Sequence, residues 1–283
     1  KKIGIDISFV SRGDSTLRGH FPAETDAIAK ALTDAGEKPN LATLLIPAFP
    51  GAGRVTIDGI HYLKTGDSLT PVGQTEFAKD ATFGYLNSNL ADFVEEKTHG
   101  SILASEVQKL TIETIRTSPE AICNFLLNLS MGSTAVVDAV TVNDLRNLAL
   151  GIVLAEKQNA TFLYRTGPTF VAAWIGQRDY EPIKSDELKS TATSPTKGGL
   201  IVVGSHVALT NSQLEQVRLK LPDLTEIEVS PEEALSPTFL SNESKLIASR
   251  LSELLDSRNV VLRTSRKLIT GSTPEESLDI SRR

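Results

Sequence analysis

The chain has 283 residues, which is enough for one large domain or for two of ordinary size. Hydrophobic residues make up 40% and charged residues 23% of the sequence, as in an average globular protein, and no apolar run is long enough to cross a bilayer. The net charge of −6 argues against a nucleic-acid-binding surface, and the single cysteine, Cys123, excludes an internal disulfide and suits a reducing compartment. We therefore predict a cytoplasmic protein that binds neither nucleic acids nor membranes.

The first predicted element is a half-buried strand over residues 2–10, where isoleucine and phenylalanine alternate with polar or small residues. A helix is predicted to follow, with Pro22 in its first turn and Gly36 at its end. Its apolar face comprises Ala27, Ile28, Ala31 and Leu32. The continuous apolar run over residues 41–47 then predicts a strand that is buried on both faces.

Irregular structure with short strands is predicted for residues 48–90, and regular alternation resumes after it. In chain order, the pattern predicts helices over 105–117 and 119–129, a strand over 134–139, a helix over 142–158 and a strand over 161–165. Beyond this point, it predicts strands over 199–205, 224–229 and 259–265, and helices over 211–221 and 242–257.

Strands that alternate with helices in this way imply right-handed crossovers and a mainly parallel sheet. The polar segment 184–198 is the best linker candidate in the chain. We therefore predict two α/β domains, one over residues 1–183 and one over 199–283.

The segment 11–20, SRGDSTLRGH, follows the first predicted strand and is dense in charged and hydroxyl groups. Its aspartate, serine and threonine can hydrogen-bond the hydroxyls of a ligand, and Arg18 can hold a carboxylate or phosphate by two parallel hydrogen bonds. Gly13 and Gly19 allow another group to approach the backbone closely. A helix cap beside a surface arginine would explain the same residues without a ligand.

A second loop, residues 47–59, follows the buried strand and contains glycines and prolines that would make it rigid. Such a loop could present Arg54 toward a ligand, and a purely structural Ω-loop is the alternative.

A third loop lies in the C-terminal half, where a strand ends at Gly204 and Ser205 and a helix begins soon after. The free amides and positive dipole of a helix N-terminus suit a phosphate. Thr210 and Gln213 have the spacing of a capping box, which would need no ligand.

The standard catalytic motifs are missing from the sequence. It contains neither a GxxxxGK[ST] phosphate loop nor a GxGxxG dinucleotide fingerprint nor a GxSxG nucleophile elbow, and its histidines and cysteine lack metal-ligand spacing. The residues alone therefore predict an α/β protein whose loops bind a small polyhydroxy acid or a phosphorylated ligand.

Several longer blocks carry more information than these loops. They include SRGDSTLRGHFPAETDAI, LLIPAFPGAGRVTIDGIHYL, YRTGPTFVAAWIG and GGLIVVGSHVALTNSQLEQV. In content and order these blocks resemble the four-carbon acid sugar kinases, and the resemblance covers most of residues 3–265.

The resemblance implies ATP-dependent, Mg²⁺-assisted phosphorylation of threonate, erythronate or 3-oxo-tetronate. The acid would bind the N-terminal domain and ATP the C-terminal domain, with an active cleft between the two. It makes Asp14 the candidate general base and Arg18 the candidate carboxylate anchor. The substrate-binding candidates are Ser15, Thr16, Arg18, Gly19, His20 and Arg54, and the nucleotide-binding candidates are Gly204, Ser205 and Thr264. No residue is assigned to a metal, and a homodimer is left open. The alternative function is a non-catalytic sugar-acid-binding module or an inactive fragment.

Two departures from the family pattern lead to further expectations. The chain has no Asp-Asp pair, whereas the family usually carries an Asp-Asp…Thr-Gly-Ala block before the DSTLRG segment, and it lacks the family's late glycine-rich segment. We therefore expect an N-terminal domain without its first segment, a partial nucleotide-binding domain and weak ATP binding.

Overall fold

The computed structural model describes residues 8–36, 41–178, 181, 183–184, 187 and 198–282. The chain divides into two compact units, Lys1–Asp179 and Tyr180–Arg283. Most of the strand predicted over 2–10 and of the linker predicted over 184–198 lies outside the described residues. Each unit has a parallel sheet with helices, which confirms the predicted α/β class. The predicted cleft stays a prediction.

The described strands of the first unit are β1 (Val10–Arg12), β2 (Ala42–Ile46), β3 (Arg54–Ile57), β4 (Ile60–Thr65), β5 (Ser68–Pro71), β6 (Gln108–Leu110), β7 (Thr134–Val137) and β8 (Phe162–Thr166). Its described helices are α1 (Ala23–Asp34), α2 (Leu90–Lys97), α3 (Ile112–Thr117), α4 (Pro119–Leu127), α5 (Val142–Glu156) and α6 (Pro168–Trp174). Among these residues, five parallel strands form the main sheet, in the order β1-β8-β2-β7-β6.

The core of this unit lies on both faces of the main sheet. Leu44 and Ile46 of β2 point into a larger apolar cluster, while Leu45 between them belongs to a second cluster. The continuous apolar run in the sequence therefore reflects a strand that is covered on both faces, as predicted. Helices α4 and α5 approach closely at Gly151, where a Cβ atom would lie 2.5 Å from Ile122.

Strands β3, β4 and β5 form a small antiparallel sheet within the region predicted to be irregular with short strands. Asp138, directly after β7, ties this sheet to the main one. Its buried carboxylate accepts hydrogen bonds from the backbone amides of Asp58, Gly59 and Ile112. Burial raises the pKa of Asp138 despite these hydrogen bonds.

The helix predicted over residues 105–117 is wrong in its first part. Gln108–Leu110 forms β6 at the edge of the main sheet, paired with β7. The helix α3 begins only at Ile112, where the Thr111 hydroxyl accepts a hydrogen bond from the amide of Thr114. A short edge strand with two polar residues has no alternation long enough to be distinguished from a helix turn.

The described strands of the second unit are β9 (Leu200–Val203), β10 (Thr225–Val229) and β11 (Val260–Thr264). Its described helices are α7 (Ala208–Lys220), α8 (Pro231–Ala234), α9 (Ser244–Leu255) and α10 (Pro274–Arg282). The strands are parallel, in the order β10-β11-β9. The predicted strands are confirmed, but α7 begins earlier than predicted. Thr210 therefore lies inside the helix, and the capping-box interpretation is wrong, since Val207 is the N-cap.

No helix among the described residues is long and apolar enough to span a membrane.

Candidate active site

The predicted substrate loop starts where three strands of the main sheet end. In parallel sheets, the loops at the carboxyl ends of the strands carry the ligand sites. Strand β1 leads into residues 13–20, which we call the Asp14 loop, and β2 leads into residues 47–53. The amide of Gly13 donates to the carbonyl of Thr166, the last residue of β8, at 2.9 Å. The Asp14 loop therefore begins beside the end of β8.

Three predicted site residues form one hydrogen-bonded network in this loop. The Asp14 carboxylate accepts from the backbone amide of Thr16 at 3.2 Å and also from the Thr16 hydroxyl. Arg18 Nε donates to Asp14 Oδ2 at 2.9 Å and to Thr16 Oγ1 at 3.0 Å. Arg18 Nη1 also lies 3.5 Å from Asp80 Oδ2. The network fixes the plane of the Arg18 guanidinium.

Two buried side chains donate hydrogen bonds to the backbone of the Asp14 loop. His61 Nε2 donates to the carbonyl of Ser15 at 2.8 Å, and its Nδ1 lies 2.8 Å from the Thr56 hydroxyl. Because a carbonyl can only accept, Nε2 carries the proton and the Thr56 hydroxyl donates to Nδ1. The Tyr85 hydroxyl donates to the carbonyl of Thr16 at 2.6 Å. Two successive carbonyls of the loop thus have buried donors.

The backbone of this loop includes one conformation that its side chain disfavours. Leu17 has a φ of 67°, in the left-handed region that non-glycine residues rarely adopt. Its side chain is buried in the second apolar cluster, together with Phe21 and Leu45. Packing therefore holds the loop in a strained conformation, as is common at functional sites.

The surroundings of Asp14 and His61 lower the pKa of both groups. Burial alone would raise the pKa of Asp14, but the hydrogen bonds from Thr16 and the charge of Arg18 outweigh it and lower the pKa. Burial lowers the pKa of His61 to about 4. At neutral pH, Asp14 is therefore an anion paired with Arg18, and His61 is neutral.

The predicted residue Arg54 meets Arg18 at a shared aromatic ring. The guanidinium carbon of Arg18 lies 5.1 Å from the centroid of Phe77, and that of Arg54 lies 5.5 Å from it. Arg54 Nη1 donates to the carbonyl of Ala52 at 2.7 Å, while its buried Nε has no hydrogen-bond partner among the described residues. The structure thus brings the two predicted loops together. His20, in contrast, is exposed and contacts another ring, that of Phe83.

Arg165, the penultimate residue of β8, is a charged residue that sequence reasoning missed at this site. It is buried, and its guanidinium lies against the Asp14 loop. A Cβ atom on Gly13 would lie 0.9 Å from Arg165 Nη1, and one on Gly19 would lie 3.2 Å from Nη2. The group that approaches these two glycines is therefore a protein side chain. A buried-strand pattern that ends in arginine was the signal available in the sequence.

The predicted nucleotide-binding residues also come together, at the carboxyl ends of β9 and β11. Thr264 Oγ1 donates to the carbonyl of Gly204 at 3.4 Å, and Arg266 donates to the carbonyl of Ser205. Gly204 and Ser205 are exposed, and α7 begins three residues later, at Ala208. We call residues 204–207 the Gly204 loop.

Among the described residues, no group of three or more histidine, cysteine, aspartate or glutamate side chains is placed to hold a metal ion. Asp14 and Asp80 both pair with the same arginine, Arg18. The described side chains therefore do not fit a Mg²⁺ site of their own.

Comparison with known proteins agrees with a division into two functional domains. Residues 1–174 match the family model of a sugar-binding N-terminal domain, and residues 200–283 match that of a nucleotide-binding C-terminal domain. A D-erythronate kinase of Heliobacterium modesticaldum is 31% identical over 216 residues, which are 74% of this chain and 42% of the kinase.

Two solved structures share the fold. The Haemophilus influenzae protein HI1011 has a TM-score of 0.51 at 20% identity, over 92% of this chain and 58% of that protein. A structure described as the putative tRNA synthase from Salmonella typhimurium LT2 has a TM-score of 0.54 at 17% identity, over 90% of this chain and 55% of that protein. The chain thus spans less than two thirds of the length of each of these relatives.

Together, the two sheets and the two matched domains define a protein that joins a sugar-binding domain to a nucleotide-binding domain. The chain belongs to the four-carbon acid sugar kinase family.

Proposed function

We propose that this protein is an ATP-dependent kinase that phosphorylates a hydroxyl of a four-carbon sugar acid: threonate, erythronate or 3-oxo-tetronate. The observation that carries the proposal is the Asp14–Thr16–Arg18 network on a loop held by buried side chains, within the domain that matches a sugar-binding family. The kinase relative supports the reaction type, since it is a D-erythronate kinase by name.

The sugar acid would lie against the Asp14 loop, with Ser15, Thr16, Gly19, His20 and Arg54 around it. Because the Asp14 carboxylate is ionised, it can accept a hydrogen bond from the hydroxyl that is to be phosphorylated. Its lowered pKa makes it a weak base, so its main contribution would be to orient that hydroxyl. A largely dissociative phosphoryl transfer requires positioning and charge stabilisation more than a strong base.

The nucleotide would bind the second domain, residues 199–283, across the proposed linker from the sugar-acid domain, residues 1–183. Gly204, Ser205 and Thr264 would contact its phosphates or ribose, because they lie at or directly after the carboxyl ends of adjacent parallel strands. Mg²⁺ would arrive with the nucleotide phosphates, where it neutralises charge on the transferred group.

The test is a coupled assay of ADP release with D-erythronate, D-threonate, L-threonate and 3-oxo-tetronate, each run with ATP and Mg²⁺. Phosphorus NMR of the product distinguishes transfer to the acid from hydrolysis of ATP. We expect ADP release that depends on one of these acids and a phosphate ester as the product.

The control variant is Asp14→Asn, which keeps the size of the side chain but removes its charge. It should lower kcat more than the affinity for the acid if Asp14 acts on the reacting hydroxyl. Calorimetric binding of an acid without any phosphoryl transfer would instead establish the non-catalytic binding module, and absence of both binding and transfer would refute the proposal.

A further inference from the structure

A small cavity with a mixed polar and apolar lining lies under the Asp14 loop, at the ends of β2 and β8. About 10 Å³ of it is accessible to a water molecule, which is room for about one water or one ligand oxygen. Its polar lining comes from Asp14, Arg165 and Thr166. The apolar remainder comprises Leu17, Phe21, Leu45, Pro47 and Phe93.

Two buried polar atoms of this lining are unsatisfied. Arg165 is 5% exposed and Thr166 is 1% exposed, yet Arg165 Nε and Thr166 Oγ1 have no hydrogen-bond partner among the described residues. A buried polar group without a partner is destabilising, so native proteins rarely leave two together. A ligand that accepts from both would remove this cost.

Among the described residues, no carboxylate is hydrogen-bonded to the Arg165 guanidinium. Glu24 Oε2 lies 3.7 Å from Arg165 Nε, within ion-pair distance but too far for a hydrogen bond. Glu24 also accepts from the Ser11 hydroxyl. The other carboxylate at the cavity, Asp14, is already paired with Arg18 at 2.9 Å.

We infer that Arg165 and Thr166 form the subsite for the carboxylate of the sugar acid, which places one carboxylate oxygen in the cavity. This inference rests on the proposed function and deepens it. It assigns the carboxylate to Arg165 rather than to Arg18, because the Arg18 guanidinium already pairs with Asp14 and Asp80. A guanidinium and a hydroxyl together suit a carboxylate better than a neutral hydroxyl group.

Gly13 of the Asp14 loop makes room for Arg165 in this proposed subsite. A side chain at position 13 would occupy the space of the Arg165 guanidinium, because its Cβ would lie 1.8 Å from Arg165 Cζ. Glycine at this position therefore lets the arginine reach the cavity.

The experiment is calorimetric titration of the protein with D-erythronate and with erythritol, the polyol that lacks the carboxylate. We expect Arg165→Lys to weaken erythronate binding by roughly tenfold or more and erythritol binding by less than about twofold, because lysine cannot reproduce the guanidinium geometry. Arg18→Lys should weaken both ligands by similar factors. If Arg18→Lys alone abolishes the preference for the acid, the carboxylate belongs to Arg18 and the inference is wrong.

Thr166→Val is the second variant, because it remains informative if Arg165→Lys does not fold. Replacing an unpaired buried hydroxyl by a methyl group should leave the melting temperature unchanged or raise it, yet weaken erythronate binding by about fivefold. Thr134→Val is the matched control: Thr134 is a buried threonine of the same sheet at the first residue of β7. It should leave erythronate binding unchanged, and an equal loss in both variants would overturn the inference.

Glycolate, the smallest 2-hydroxy acid, separates this inference from the proposed function. Weak glycolate binding that Arg165→Lys abolishes, in a protein that phosphorylates no sugar acid, would support the subsite and refute the kinase. Phosphorylation of erythronate with unchanged affinity in both Arg165→Lys and Thr166→Val would support the kinase and refute the subsite. If the wild-type protein binds neither glycolate nor erythronate, both are refuted.

Discussion

The two loops predicted to bind ligands differ in how they are held. The Asp14 loop has buried residues at its centre, and two of its carbonyls accept from the buried side chains of His61 and Tyr85. The Gly204 loop is exposed at Gly204, Ser205 and His206. Its backbone carbonyls accept hydrogen bonds from Thr264, at the end of β11, and from Arg266. A loop that is fixed before the ligand arrives loses less conformational entropy on binding. The difference therefore indicates that the proposed sugar-acid site is preorganised and that the proposed nucleotide site is less constrained.

The largest expected effect is a pH dependence of stability that comes from His61, which supports the Asp14 loop and not the Gly204 loop. His61 has a pKa of about 4 in the folded protein and an ordinary value of 6.5, so the unfolded state binds its proton first as the pH falls. The free energy of unfolding is therefore highest above pH 6.5, where His61 is neutral in both states. It decreases by about 3 kcal/mol as the pH falls from 6.5 to 4. Urea unfolding monitored through Trp174, which packs in the first unit against Tyr164 and Phe170, measures it.

The matched variants for this measurement are His61→Gln and His206→Gln. The first should flatten the loss of stability between pH 6.5 and 4, whereas the second should leave it unchanged because His206 is exposed. Asp138, whose pKa is raised by burial, changes stability in the opposite direction, since its contribution decreases as the pH rises. The difference between wild type and His61→Gln is therefore the quantity to compare, and equal slopes would contradict the account.

A pair of glycine substitutions gives the next largest contrast. Gly13→Ala should destabilise the first unit by about 2 kcal/mol and displace the buried Arg165 guanidinium, as overpacking a filled site does. Gly204→Ala should change stability by less than about 0.5 kcal/mol, because a Cβ there meets nothing within 4 Å. Thermal unfolding of both variants tests this, and similar melting temperatures would mean that Arg165 moves aside freely.

Arg18→Lys should act on binding rather than on folding. Its planar guanidinium contacts Asp14 and Thr16 through Nε and Asp80 through Nη1 while it lies over the Phe77 ring, a combination that the lysine ammonium cannot copy. We expect sugar-acid binding to weaken by about tenfold while the melting temperature stays nearly unchanged. A collapsed melting temperature with normal binding by the folded fraction would make the residue structural.

The smallest expected effects come from two variants that each remove one hydroxyl group. Tyr85→Phe removes the buried donor to the Thr16 carbonyl and should cost about 1 kcal/mol of stability. Thr264→Val removes a long, exposed hydrogen bond to Gly204 and should cost less than about 0.5 kcal/mol. Chemical denaturation of both variants measures the two losses of stability. A larger loss in Thr264→Val than in Tyr85→Phe would contradict the conclusion that the Asp14 loop is the more firmly held of the two.

The sequence predicts the fold best where burial is strong. Leu44, Leu45 and Ile46 predict their strand because both of its faces are covered. It fails at the edges: Gln108–Leu110 is a three-residue strand whose pairing with β7 no local pattern can show. The start of α7 at Ala208 is missed for a similar reason, since no side-chain cap marks it.

The same limit applies to the candidate site. Asp14, Thr16 and Arg18 are neighbours in the sequence, so their shared chemistry is visible there. His61 and Arg165 reach the loop from strands that are distant in the chain, and only the sheet topology brings them under it. Local patterns record side-chain types and spacing, but they do not record which strands become neighbours.

The most direct test of the account is amide hydrogen exchange of the protein with and without D-erythronate, and with and without ATP. The acid alone should slow exchange in residues 13–20 and 47–54 and leave residues 203–208 unchanged. ATP should act mainly on residues 203–208. Protection of residues 203–208 by erythronate, or unchanged exchange at residues 13–20 when erythronate is bound, would contradict the assignment of the sugar acid to the Asp14 loop.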